Sequence, residues 1–203
     1  MAATVLVTGG AGYIGSHMAL KLGDSGEETV VLDNLVTGFD WAVDHRATLV
    51  EGDAGDIEFV SGVIAKYGIK EIVHFAGSIV VPESVADPLS YYENNTVKSR
   101  ALIAAAVAAK VPHFVFSSTA AVYGTPDVDV VTEQQELHPE SPYGESKWML
   151  ERALMWAERV HGLRSACLRY FNAAGADPAG RLGEDHRPET HLVPLAIDAM
   201  LGR

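Results

Sequence analysis

One stretch near the start constrains this chain more than any other: Thr8-Gly9-Gly10-Ala11-Gly12-Tyr13-Ile14-Gly15, placed between the apolar run Val5-Leu6-Val7 and the helical pattern Tyr13, Ile14, His17, Leu20. The order predicts a strand, a tight turn and a helix start. Gly9, Gly12 and Gly15 let the backbone approach a pyrophosphate and let the helix lie close on its strand, while N–H groups at the helix N-terminus face the anion. The spacing differs from G-x-G-x-x-G, and an ordinary glycine-rich turn is the competing reading of these residues alone. Context favours the dinucleotide. A second apolar run, Thr29-Val30-Val31-Leu32, ends in Asp33, where an acid accepts hydrogen bonds from an adenosine ribose.

The remaining chain alternates short β-branched runs with longer helical stretches, which predicts a doubly wound parallel sheet, a Rossmann-like α/β fold. Strands are expected at Thr48–Asp53, Glu71–Phe75, His113–Phe116 and Ser165–Tyr170. Helices are expected from about Asp56 to Tyr67 with Gly68 as stop, and from an Asp87 cap and Pro88 to about Lys110. Two more are expected, from a Ser141 cap and Pro142 to the stop at Gly162, and from about Pro194 to Leu201. In the second of these helices, Asn94 and Asn95 are poor helix formers, so one of them is expected to do a polar job facing the sheet edge. Its alanine-rich half, Ala101–Ala109, either meets a neighbouring subunit or only covers the sheet.

With 203 residues, 48% of them hydrophobic, the chain can bury a substantial core as one domain or at most two. No apolar stretch reaches membrane-spanning length, and Met1-Ala2-Ala3 runs into the first strand without a basic leader, so a soluble cytoplasmic protein is expected. The formal charge of -12 argues against nucleic acid and anionic membrane partners. Cys167 has no partner for an intrachain disulfide and reads as a small buried residue. The eight histidines stand singly, without a zinc motif, and no metal site is expected.

The chemistry is carried by Tyr143 and Lys147, which share one helix face and follow the hydroxyl-bearing strand end Ser117-Ser118-Thr119. A tyrosine serves as base only when a useful fraction is phenolate, and its ordinary pKa is about 10. An ammonium about 6 Å away at an effective dielectric of about 20 is worth roughly 2.8 kcal/mol, about two pKa units. The positive charge of an oxidised nicotinamide would supply more, so the base is expected to be strongest with NAD⁺ bound.

Four ordered motifs, Thr8–Gly15, Ser117-Ser-Thr-Ala-Ala-Val-Tyr123-Gly, Tyr143-Gly-Glu-Ser-Lys147 and Arg169-Tyr-Phe-Asn172, together resemble the extended short-chain dehydrogenase/reductase family, and within it the UDP-glucose 4-epimerases. The resemblance covers the whole chain. It implies an NAD-dependent isomerase that epimerises C4 of a UDP-hexose, UDP-galactose or UDP-glucose, through a transient 4-keto sugar. It further implies Tyr143 as base, Lys147 as its pKa-lowering and ribose-binding partner, and Thr119 as the hydroxyl that positions the sugar oxygen. Cofactor contacts are implied at Gly9, Gly12, Tyr13, Ile14, Gly15, Asp33, Asn34, Asp53, Ala54, Phe75, Ala76, Gly77, Asn95, Lys147 and Phe171. An acid at Asp33 would repel a 2′-phosphate, favouring NAD over NADP. Substrate contacts are implied at Thr119, Tyr143, Asn172, His191 and Leu192. A homodimer is implied through the two long helices that begin near Pro88 and Pro142.

Two departures from the family pattern matter. Ala120 and Ala121 stand where related sugar-nucleotide dehydratases carry an acid pair, which argues against dehydration. Family members also continue well past Arg203. Residues 1–172 are therefore expected to form the NAD-binding domain and 173–203 only the start of a small C-terminal substrate region. Beside the epimerase stand two alternatives: a truncated NAD-binding module without turnover, and another NAD-dependent sugar-nucleotide epimerase.

Overall fold

A computed structural model describes residues 4–202. The expected leader-free start at Met1-Ala2-Ala3 and the terminal Arg203 lie outside the described residues. Six strands, β1 (Val5–Thr8), β2 (Thr29–Asp33), β3 (Thr48–Glu51), β4 (Glu71–His74), β5 (His113–Ser117) and β6 (Arg164–Leu168), form one sheet in the order β3-β2-β1-β4-β5-β6. Every pairing is parallel. The chain thus winds outward from β1 in one direction and then from β4 in the other, which opens a crevice at the carboxyl ends of β1 and β4, where such sheets take ligands.

The helices are α1 (Tyr13–Asp24), α2 (Ile57–Tyr67), α3 (Val81–Ala86), α4 (Pro88–Tyr91), α5 (Lys98–Ala108), α6 (Pro142–His161) and α7 (Leu192–Leu201). Strand alternation divides the core. Leu6, Leu32, Ile72, Phe114 and Phe116 face Val60 and Ile64 of α2, Leu102 of α5, and Leu150 and Leu154 of α6. Val5, Val7, Val31 and Val73 face Ala19 of α1 on the other side. Side chains of this kind each contribute about 1.5–3 kcal/mol when fully buried. Local signals set the helix ends. Asp56 accepts from the Phe59 N–H, Asp87 from Ser90 and Ser141 from Gly144, while Gly68 and Gly162 stop their helices in the left-handed conformation.

The structure corrects several expected boundaries. α3 was not expected, although Pro82 in its first turn is a start signal. The helix expected from Pro88 to Lys110 is interrupted: between α4 and α5, Tyr92–Val97 forms a π-helical segment, and α5 ends at Ala108, with Lys110 left-handed beyond it. The third strand stops at Glu51 rather than Asp53, and the last at Leu168 rather than Tyr170. The Tyr170 carbonyl instead accepts from the Ala120 N–H at 3.0 Å. A 3-10 turn, Ala120–Tyr123, opens the loop after β5, and α7 starts two residues earlier than expected. Cys167 is half-buried and packs against the core, with burial pushing its thiol up to about 12. Among the described residues no helix is long and apolar enough to cross a membrane.

Candidate active site

The glycine turn is tight for a visible reason. Gly9 has φ +70°, and a Cβ there would fall 2.5 Å from the Ala76 nitrogen; one at Gly15 would fall 2.1 Å from the Gly9 carbonyl oxygen. Turn, helix and the strand end at Phe75-Ala76 are therefore in mutual backbone contact. Gly12 is the N-cap of α1 and brings no side-chain cap, and the first turn holds no acid. The first N–H groups of α1, those of Tyr13 and Ile14 among them, have no intrahelical partner and face outward with the positive end of the helix dipole. This cradle fits a pyrophosphate.

Asp33, 8% exposed at the end of β2, is fixed beside the turn. Its Oδ2 accepts from Ala11 N–H and its Oδ1 from Leu35 N–H, each at 2.9 Å, leaving lone pairs on both oxygens for ribose hydroxyls. Asn34 is exposed and uses its Oδ1 on the Val36 N–H at 3.2 Å. The Gly52 N–H donates to the Asp33 carbonyl, which brings the next acid, Asp53, alongside. Asp53 receives Lys98 Nζ at 2.6 Å and the Gly55 N–H at 2.8 Å, so it is a paired carboxylate, with half-buried Ala54 next to it. After β4, the N–H groups of Phe75 and Ala76 both donate to the Thr8 carbonyl.

Asn95 sits on the π-helical segment and is the asparagine that faces inward. Its Oδ1 accepts from the Ser78 N–H at 2.7 Å, and its Nδ2 donates to the Ser78 carbonyl and to Ser146 Oγ. The side chain is spent on shaping the Gly77–Ser78 turn. A Cβ on Gly77 would lie 3.0 Å from Asn95 Oδ1 and 3.5 Å from Lys147 Nζ, so the turn lies directly against the lysine.

Lys147 is buried, with Nζ donating to the Ser117 carbonyl at 3.1 Å and standing 5.1 Å from the Phe116 ring centre and 5.9 Å from that of Tyr143. Burial pulls its pKa down to about 8. Lys147 does not lower the Tyr143 phenol in this arrangement: burial raises it, outweighing a hydrogen bond from the Thr119 side chain that favours phenolate. The lysine points at a backbone carbonyl and is itself desolvated, so its charge is not spent on the phenol. Thr119 Oγ1 accepts from the Ala121 N–H at 3.1 Å, which leaves its proton to donate towards Tyr143.

Two supporting groups were not expected. Glu151, one turn beyond Lys147, takes Arg169 Nη2 at 2.6 Å and Nε at 2.9 and 3.1 Å, while Ser118 Oγ donates to its Oε1. Arg169 Nη1 also reaches Tyr123 Oη at 3.1 Å. This pair ties α6, the end of β6 and the loop before Thr119 together. A charged residue between the core leucines Leu150 and Leu154 was the available signal. His74, fully inside, bonds Thr8 Oγ1 at 2.6 Å through Nδ1 and Ser99 Oγ at 2.7 Å through Nε2, and lies stacked on Phe116.

The implied substrate residues are open. Phe171 is 72% exposed and Leu192 80%, Asn172 is exposed and His191 half-buried at the entry to α7. Among the described residues no hydrogen bond joins Asn172 or Leu192 to Thr119, Tyr143 or Lys147. Tyr13 Oη does donate to the Gly175 carbonyl at 2.7 Å, anchoring the segment beyond Asn172 to the start of α1.

Residues 5–203 match the profile of the NAD dependent epimerase/dehydratase family. A UDP-glucose 4-epimerase of Azospirillum brasilense is 51% identical over 199 residues, 98% of this chain and 57% of that protein. One from Lacticaseibacillus casei is 48% identical, over 98% of this chain and 60% of its own length. Among solved structures, UDP-glucose 4-epimerase from Brucella ovis in complex with NAD superposes with a TM-score of 0.96 at 44% identity, covering all of this chain and 62% of that one. The enzyme from Bifidobacterium longum in complex with NAD⁺ and UDP gives 0.93 at 34% identity, over 98% of this chain and 63% of that one. The chain therefore spans about three fifths of the length of these relatives.

Proposed function

Since the chain belongs to the NAD dependent epimerase/dehydratase family, we propose that it binds NAD and epimerises a UDP-hexose at C4, interconverting UDP-galactose and UDP-glucose. The observation that carries this reading is the convergence of Thr119, Tyr143 and Lys147 at the carboxyl end of β5, across the Gly77 turn from the phosphate cradle. NAD, when bound, supplies acceptance of the C4 hydride and its return to the opposite face of the sugar. Tyr143 takes the proton of the C4 hydroxyl and later returns it, and Thr119 holds the same oxygen. Lys147 binds the ribose from its buried position and supplies positive charge below its pKa of about 8. Asp33 selects NAD by accepting from two ribose hydroxyls.

The relatives named as UDP-glucose 4-epimerases, and their structures with NAD and with UDP, support this assignment. We read residues 1–172 as the cofactor domain and 173–203 as the start of the substrate region. The exposure of Phe171, Asn172 and Leu192 supports a second reading, in which these 203 residues hold NAD with little turnover. Another sugar-nucleotide epimerase would use the same residues. Pairing of two copies through the helices that begin at Pro88 and Pro142 is supported by exposed Met149, Trp156 and Val160, which share one face of α6. A lone free cysteine suits the reducing cytoplasm.

Tyr143→Phe tests the central assignment. Bound NAD, read by native mass spectrometry, is expected to stay, while UDP-galactose turnover falls by at least the roughly 10²–10⁴-fold that a general base contributes. Undiminished turnover in that variant would show that Tyr143 is not the base. Turnover absent from the unmodified chain with NAD retained would select the second reading.

A further inference from the structure

Beyond Asn172 the chain folds back on α1 at both ends. Tyr13 Oη holds the Gly175 carbonyl at one end, and Arg181 forms two 3.0 Å bonds to the Asp24 carboxylate at the other. Within this segment runs Glu184-Asp185-His186-Arg187-Pro188-Glu189-Thr190-His191, an E-x-H-x-x-E-x-H pattern. The fold turns its two carboxylates and two imidazoles to one point: one ligand atom from each of Glu184, His186, Glu189 and His191 lies within 4.8 Å of all the others. His191 Nδ1 is 3.0 Å from Glu184 Oε1 and 2.8 Å from Glu189 Oε1, and His186 Nδ1 is 3.3 Å from Glu184 Oε1.

The decisive observation is at Glu184. Its side chain is only 8% exposed, and its Oε1, together with His186 Nδ1, is buried without a hydrogen-bond partner. His191 Nδ1 is hydrogen-bonded to Glu189 Oε1, but the contacts of both imidazoles with Glu184 Oε1 have the separation of hydrogen bonds without the alignment. An unsatisfied buried acceptor costs about 1–3 kcal/mol, more when charged. A cation at the shared point would satisfy Glu184 Oε1 and His186 Nδ1 together, with His191 and Glu189 turned to the same point.

The geometry points to a divalent transition-metal site, Zn²⁺ by its donor set, formed by Glu184, His186, Glu189 and His191. Imidazole and carboxylate ligands suit Zn²⁺, and Zn–N and Zn–O bonds of about 2.0–2.2 Å place tetrahedral ligands about 3.3–3.5 Å apart, so the four groups, with three contacts at 2.8–3.3 Å and all within 4.8 Å, need only small side-chain movements to close on the ion. Four protein ligands fill the tetrahedron and leave no open position, so the site is structural. It pins the segment beside Tyr13, whose ring centre lies 6.3 Å from that of His186, joining the substrate-side chain to the phosphate cradle. Ligation through Nδ1 leaves Nε2 of His191 available to a ligand.

The test uses the tag-free 203-residue chain, stripped with EDTA and titrated with Zn²⁺ by calorimetry, then with Co²⁺ as a spectroscopic probe. One Zn²⁺ per chain is expected, together with the intense visible bands of tetrahedral Co²⁺. Glu184→Gln and His186→Asn should each weaken Zn²⁺ by about 100-fold or more, since even outer-shell partners cost about 10–100-fold. His45→Asn, on an exposed loop, should change nothing, and circular dichroism checks that each variant is folded. Absence of stoichiometric uptake, an octahedral Co²⁺ spectrum, or uptake unchanged in folded Glu184→Gln would overturn the site.

Discussion

Mild acid should destabilise this protein through His74. The imidazole is buried among Leu6-layer core residues with Lys147 nearby; burial first and that positive charge second push its pKa from 6.5 down to about 3. Hydrogen bonding does not forbid the proton, because the hydroxyls of Thr8 and Ser99 could both accept from an imidazolium. Desolvation does. Between pH 6.5 and 3 the unfolded chain binds one proton more than the native chain, so unfolding free energy rises with pH in that window and falls by about 1.4 kcal/mol for each unit of acidification. The contribution is complete above the unfolded value and is lost as pH drops towards the folded one. From pH 7 to about 4.5 the loss is about 2.7 kcal/mol, a large share of the roughly 5–15 kcal/mol that stabilises a domain. Asp24, held at about 2 by Arg181 and then Arg46, and Asp44, held at about 2 by Arg46, lose their stabilisation only as pH falls below the ordinary 3.8, so they add little here. Urea unfolding at a series of pH values is the assay, on the native chain and on His74→Gln. The variant should be less stable at pH 7 and should lack the slope. An equal slope in both proteins would refute the reasoning.

Two further outcomes follow from the cradle and its support. Gly15→Ala places a methyl 2.1 Å from the Gly9 carbonyl, so α1 must shift; NAD retention in native mass spectra should be lost and the melting temperature lowered. Glu151→Gln leaves the Arg169 guanidinium without its countercharge. Because Arg169 is 20% exposed, the expected cost is about 2–3 kcal/mol, below the 3–5 typical of a fully buried pair. Chemical denaturation measures it, and a change under about 0.5 kcal/mol would mean that the pair is merely a surface contact.

The layers of the fold were legible because their signals are local. Apolar runs, caps at Asp56, Asp87 and Ser141, and glycine stops at Gly68 and Gly162 each act within a few residues, and strand order follows from winding rules. Thr119, Tyr143 and Lys147 were legible by spacing and by place in that order. What the sequence hid depends on distance in the chain. The phenol's pKa is set by how deeply Tyr143 is buried and by where Lys147 points, which spacing along a helix does not reveal. Glu151 meets Arg169 eighteen residues away, and His74 meets Thr8 and Ser99 across separate strands and helices. Glu184 and His191 converge only because an irregular segment folds back on α1.

The π-helical segment Tyr92–Val97 has a consequence for insertions and deletions. A π-turn accommodates one residue more than an α-turn, and each helical residue turns the chain by about 100° and advances it about 1.5 Å. Removing one residue there would restore regular winding and leave the flanking turns in register, whereas removing one from α5 would swing everything on its N-terminal side by that angle. Tyr91, now bonded to Val80, and Tyr92, now bonded to Glu145, would both leave their partners, while Asn95 would leave the turn that Lys147 rests against. The wide turn is thus where the chain could lose a residue and keep the groups on either side in place, while in α5 chain length is under tighter constraint than residue identity.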